Sequence, residues 1–218
     1  IGSRIFAGEM LRERANVLGP LAQGGQAQIH HVQTIEKVFA EGAVLDGIRQ
    51  IARPFMKELA DSVRGSVSLG IRDRLNVIYV ESSRGDAPRI QPPDVGLSYP
   101  VARTAMGRAL IAASSPEDRE AILNEIKVKT PEDWKTFRKQ IEEGVREYRG
   151  VGFCASYGDL RREVHAVAVP MRSLADGTIL VFNCGVSAYL LSGDQLTREI
   201  GPRLVSMVRS IEATLGLS

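Results

Sequence analysis

An α+β fold, an antiparallel sheet packed by helices, is what this sequence predicts, and three observations predict it. Apolar residues recur at helical spacing over 48–63, 134–148 and 196–215. The period drops to two, or the run turns wholly apolar, over 67–80 and 164–186. Turn signals join those extended runs in pairs, as antiparallel hairpins require.

Taken in order, residues 1–45 read as a helical linker or oligomerisation segment: IFAGEMLRERANVLGPLA has helical spacing that QGGQAQ interrupts with glycines and amides. Residues 46–218 read as the folded domain. Ile48, Ile51, Ala52, Phe55, Met56, Leu59, Ala60 and Val63 form one apolar face, and Pro54 either kinks that helix or marks its start. Val67, Leu69 and Ile71 alternate with small or polar partners, Asp73-Arg74 offers a turn, and VIYV at 77–80 completes a hairpin. The proline- and glycine-rich stretch 84–100, RGDAPRIQPPDVGLSYP, reads as a long loop or lid.

Two helix starts are legible at Ser115-Pro116-Glu117-Asp118 and Thr130-Pro131-Glu132-Asp133. Each places a capping side chain, then proline, then acids on the positive end of the dipole. The second helix carries Trp134, Phe137, Ile141, Val145 and Tyr148 on one face, with Gly150 placed to end it. VHAVAVP at 164–170 has the composition of a covered central strand, Asp176-Gly177 is a hairpin turn, and TILVFNCGV returns beside it. Ser192-Gly193-Asp194-Gln195 resembles a capping box before a helix that turns Leu196, Ile200, Leu204, Val208, Ile211 and Leu215 inward.

Composition narrows the function. The chain of 218 residues balances 28 basic against 26 acidic side chains, so it carries no basic field of the kind that grips nucleic acid. Cys154 and Cys184 form neither a disulfide framework nor a zinc motif, which points to a reducing, cytoplasmic setting. No apolar run approaches the ~20 residues that span a bilayer, and no signal peptide is recognisable. No cofactor motif is present. His30-His31 lack a third ligand at sensible spacing and read as linker residues, and His165 reads as a hydrogen-bonded core histidine. The chain opens at Ile1 rather than methionine, so a part upstream is expected.

SYPVARTAMGRALIA, residues 98–112, is the unusual stretch. Thr104 can cap a helix, but small or apolar residues follow, with Gly107 in the interior at a cost of roughly 1 kcal/mol relative to alanine. Small side chains at a helix N-terminus let an anion approach unpaired amides; close packing of the helix on the sheet would equally select them.

PVARTAMGRALIA resembles the H-A-T-A-x-G-K-A-L-L-A signature of IclR-type transcriptional regulators, here as Arg103-Thr104-Ala105-Met106-Gly107-Arg108-Ala109-Leu110. The similarity extends through IARPFMKELADSVRGSVSLGIRD, the RGVGF turn and VFNCGVSAYLLSGDQL, spanning about residues 46–216. The resemblance implies a GAF-like effector-binding domain that assembles as a homodimer or homotetramer. It also implies a winged helix-turn-helix for DNA upstream; none is legible in this chain.

The resemblance further implies a ligand-binding set. The effector's carboxylate would meet backbone amides at Ala105 and Met106, with Thr104 adding a hydroxyl. The family's pocket acid falls on Cys154, its pocket cysteine on Val164 and its two strand serines on Phe182 and Cys184, while the signature histidine becomes Ala102. Those less polar residues predict a larger, partly apolar or aromatic carboxylate in place of a tiny polar acid. Arg161 or Arg162 could supply a second anion contact, and Ile90 and Val95 could close over the apolar part. The competing expectation is a thiol enzyme on a GAF-like scaffold, for example one reducing sulfoxides, with Cys154 or Cys184 as its reactive centre; as inert thiols both would be small buried hydrophobes.

Overall fold

The computed structural model describes residues 42–86, 94–171 and 177–217, and every structural statement below concerns those. Six strands form one sheet in the order β3-β2-β1-β6-β5-β4. They are β1 (Ser66–Asp73), β2 (Asn76–Arg84), β3 (Ser98–Pro100), β4 (Cys154–Tyr157), β5 (Val164–Pro170) and β6 (Leu180–Ser187). Every neighbouring pair is antiparallel. Helices α1 (Gly42–Val63) and α5 (Gly201–Thr214) pack on one face, and α2 (Ala105–Ala113), α3 (Pro116–Lys129) and α4 (Pro131–Val151) cover the other.

The expected elements form for the expected reasons, with corrections. The buried stripe Ile48, Ala52, Met56, Leu59 and Ala60 makes α1. Pro54 lies inside it, on an exposed turn. The linker expected over 1–45, with His30-His31, lies outside the described residues as far as Glu41; from Gly42 the chain is helical. Ser115 caps α3, its hydroxyl accepting the Asp118 amide at 3.0 Å. Thr130 does not cap α4: α3 ends where α4 begins, and its hydroxyl donates back to the Ile126 carbonyl at 3.1 Å. The helix also runs past Gly150, and Gly152, at φ 82°, takes the left-handed position that ends it. Ahead of α5, Ser192 donates its amide to Gln195 Oε1 at 3.4 Å, half of the expected capping box, and Leu196–Ile200 form one wide helical turn.

One irregularity decides which side chains face where. A bulge at Val80 shifts the β1–β2 register, so Gly70 pairs with Tyr79 but Leu69 with Glu81. Adjacent residues of a strand face opposite ways, so Tyr79 and Glu81 part. Glu81 turns to α1, where its Oε2 accepts from Arg49 Nε at 3.0 Å and Arg53 Nε at 2.9 Å. Tyr79 turns toward α2.

Candidate functional site

The N-terminus of α2 is set by its sequence. After a tight turn at Val101–Arg103, Thr104 is extended at φ −117°, ψ 147°, and its Oγ1 accepts the Gly107 amide at 3.0 Å. The Arg108 amide reaches the Thr104 carbonyl at 3.1 Å. Helix geometry leaves the amides of Ala105 and Met106 without an acceptor inside α2. Thr104 also donates to the Pro100 carbonyl at 3.4 Å, so its hydroxyl serves the turn.

Gly107 proves to be a packing requirement of the chain itself. A Cβ there would lie 2.0 Å from the Val101 carbonyl oxygen, so the preceding turn, not a ligand, is what comes close. Met106 is likewise core: it is fully buried, and its methyl end would lie 3.2 Å from a Cβ at Gly70. Of these small residues Ala105 is the one that borders empty space.

That space is a cavity of about 50 Å³ between the start of α2 and the sheet. The sheet contributes Ser66, Tyr79, Ser156 and Asn183 as polar lining, with Val164, Ala166 and Gly185 between them. The α2 end contributes Arg103, Thr104 and Ala105, and the loop between β4 and β5 contributes Leu160 and Arg161. A water needs roughly 10–15 Å³ measured this way, so the space holds a few waters or a small anion.

Two guanidiniums and several neutral polar groups border the cavity. The Arg103 guanidinium is anchored by Asp133 Oδ1, at 2.9 Å from Nε and 2.7 Å from Nη2, and lies 5.9 Å from the centre of the Phe137 ring. Burial pushes the Tyr79 phenol well above its usual range, against the opposing charge of Arg161, so it stays a neutral hydroxyl. Ser66, Ser156 and Asn183 are each more than nine-tenths buried. Among the described residues no cluster of three histidine, cysteine or acidic side chains could hold a metal ion.

The predicted binding residues are only partly brought together. Thr104, Ala105, Val164 and Arg161 line the cavity; Met106, Cys154, Arg162, Phe182 and Cys184 do not. Along β6, Asn183 and Gly185 point into the space, so Phe182 and Cys184, one residue out of phase, point to the α1–α5 face. Cys154 lies on the correct face of β4 but two residues too deep: its thiol donates to the Gly144 carbonyl at 3.2 Å, and Ser156 takes the cavity position. Arg162 is exposed, Val95 is half exposed away from the cavity, and Ile90 lies outside the described residues. His165 is half-buried, its ring edge-on to Tyr157 at 5.3 Å. The lining is therefore more polar than expected, because the apolar residues transferred to it sit elsewhere. Period-two reading of β6 could have found Asn183, the one amide in a run whose alternate members Leu180, Phe182, Cys184 and Val186 make a continuous apolar face.

Neither thiol is poised for chemistry. Burial pushes Cys154 and Cys184 each up to about 12, with Glu147 adding to the effect at Cys154, so both stay protonated at neutral pH.

Comparisons with known proteins agree with this architecture. Residues 43–213 match the family described as bacterial transcriptional regulator IclR C-terminal. The HTH-type transcriptional regulator TsaQ1/TsaQ2 of Comamonas testosteroni is 30% identical over 171 residues, which make up 78% of this chain and 62% of that regulator. An IclR family regulator from Brucella abortus superposes with a TM-score of 0.73 at 35% identity, over 77% of this chain and 63% of that one. An IclR homologue from Microbacterium hydrocarbonoxydans, solved with 4-hydroxybenzoate, shares the fold at a TM-score of 0.64 and 22% identity, over 85% of this chain and 75% of that one. The chain thus spans less than two thirds of the length of the first two relatives. No helix among the described residues is long and apolar enough to cross a membrane. The fold is GAF-like α+β, its family and relatives are transcriptional regulators and not enzymes, and the chain belongs to the IclR family of bacterial transcriptional regulators, of which residues 43–213 are the C-terminal domain.

Proposed function

We propose that this domain senses a small carboxylate metabolite in the cavity at the start of α2. One observation carries the reading: the positive end of α2, at Ala105, borders a cavity lined by Arg103, Arg161, Ser66, Ser156 and Asn183. The helix end and the guanidiniums favour a negative charge, and the sheet's hydroxyls and amide suit a second polar group at the other end of the molecule. The ligand that fits is a short acid with a hydrogen-bonding tail. A partly apolar or aromatic acid is the second reading; it is favoured by the 4-hydroxybenzoate held by the Microbacterium neighbour and requires the wall at Leu160–Arg161 to move outward.

In the whole regulator, ligand binding would shift the balance between assemblies whose DNA readers fit or miss the operator. Such coupling needs only a difference in affinity, typically about 1–3 kcal/mol. A homodimer or homotetramer in the cytoplasm, with DNA bound through a winged helix outside residues 46–218, completes the proposal.

A panel of short hydroxy and keto acids and of hydroxybenzoates, read by thermal shift, tests it. An acid present at a hundredfold its dissociation constant should add about 2.7 kcal/mol to stability. Ala105→Asp places a fixed negative charge in the site and should abolish that shift, with circular dichroism checking that the variant, whose residue 105 is buried, still folds. Stabilisation by neutral compounds alone would overturn the reading.

A further inference from the structure

Arg108 is only 3% exposed, which is unusual for so strongly hydrated a charge. Gly144 of α4 leaves room for its stem, since a Cβ there would lie 3.1 Å from Arg108 Cβ. The guanidinium crosses beneath β4: Nη1 donates to the Ala155 carbonyl at 2.9 Å and Nη2 to Asp159 Oδ2 at 2.6 Å. Its Nε is buried with no acceptor among the described residues. A buried cation so placed depends on its one carboxylate, and Asp159 is held in return.

Asp159 stands where the cavity can sense it. The same Oδ2 accepts the hydroxyl of Ser156 at 2.9 Å, and Ser156 lines the cavity. Leu160 and Arg161, the next residues, form its outer wall. The loop begins at Gly158, whose φ of 80° suits glycine, and closes where the Val164 amide donates to the Arg161 carbonyl at 2.9 Å. Between those two points Asp159 ties the loop to the interior. Because a carboxylate only accepts, the Ser156 hydroxyl donates its hydrogen to Asp159 and offers the cavity lone pairs alone.

We propose that Asp159, latched to Arg108, is a positioning residue that sets the size selectivity of the effector cavity, by pinning the Leu160–Arg161 wall inward and fixing the Ser156 hydroxyl. The proposal rests on the cavity being the effector site. With the latch closed the space suits a short acid; with it released the wall can retreat and a ring can enter. Arg108 and Asp159 thereby join the helix that meets the carboxylate to the loop that limits the rest of the ligand.

Affinities for lactate and for 4-hydroxybenzoate, measured by calorimetry on the wild type and on Asp159→Asn, test it. The variant should shift the ratio of the two affinities toward the aromatic acid by roughly tenfold or more, the scale on which pocket shape discriminates. A ratio unchanged within about twofold overturns the proposal. Arg108→Met combined with Asp159→Asn removes both charges, so it guards against loss of fold from an unpaired buried cation and should show the same shift. Hydrogen exchange judges the latch independently of any ligand. Faster exchange at residues 158–164 in the variant, with α5 unchanged, shows that Asp159 pins the wall, and unchanged exchange there overturns the proposal; if neither acid binds the wild type, the effector reading fails and the selectivity role falls with it.

Discussion

The two faces of the sheet are built from the same strands and do different work. Toward α1 and α5, Val67, Leu69, Leu180, Phe182, Cys184 and Val186 make a dry, close-packed layer. Toward α2, the alternate residues Ser66, Ser156, Asn183 and Gly185 are polar or small and leave a cavity. Both faces hold core, since Val77, Val181, Ala168 and Cys154 pack against α2–α4, but the second gives up packing locally, at the space we propose as the effector site. One residue of register separates the two: Phe182 is core, and Asn183 beside it lines the cavity.

The largest effects should come from challenging the dry face. Phe182→Ala should cost about 3–5 kcal/mol in denaturant unfolding, yet leave the acid affinity of the folded protein unchanged. A fall in that affinity comparable to the loss in stability would mean the faces are not independent. Gly107→Ala, which forces a methyl against the Val101 carbonyl, should cost about 1–3 kcal/mol and also weaken binding, because the first turn of α2 must shift.

Alkaline titration sharpens the contrast further. Burial raises Cys154 and Cys184 from an ordinary 9.0 to about 12, so the native state keeps protons that the unfolded chain releases. Their contribution to stability is fully present below about pH 9 and is lost as pH rises toward about 12. Urea midpoints at pH 8 and pH 10 should show the fall, and Cys184→Ala should reduce it. Iodoacetamide at pH 8 should modify neither thiol until the chain unfolds; rapid labelling of either would revive the thiol-enzyme alternative. The smallest changes in stability belong to the cavity. Asn183→Ala and Ser156→Ala should each alter it by less than about 1 kcal/mol while weakening acid binding by about the worth of one hydrogen bond.

Much of the fold was legible. The α1 stripe, the β1–β2 hairpin, the Ser115 cap and the core face of α4 all follow from period and capping chemistry, which are local. The short strands β3 and β4 were not: three and four residues long, they show too little alternation to stand out, and β4 hid behind the glycines at 150 and 152. Thr130 misled because its hydroxyl had a choice of partners, and the end of α3 took it. The residues that the family likeness assigned on β4 and β6, Cys154, Phe182 and Cys184, lie one or two positions from those that line the cavity.

By itself, the sequence determined the longer helices and the β1–β2 and β5–β6 hairpins, hence an antiparallel sheet, and that Thr104 caps α2 with small residues behind it, because each depends on neighbours within a few positions. Only the tertiary structure decided that Gly107 answers to Val101, that a bulge at Val80 turns Tyr79 inward, and that Ser66, Ser156 and Asn183 meet around one space. The reason is geometric. A side chain's facing depends on register across strands far apart in the chain, and a single-residue slip exchanges core for cavity without changing any local preference.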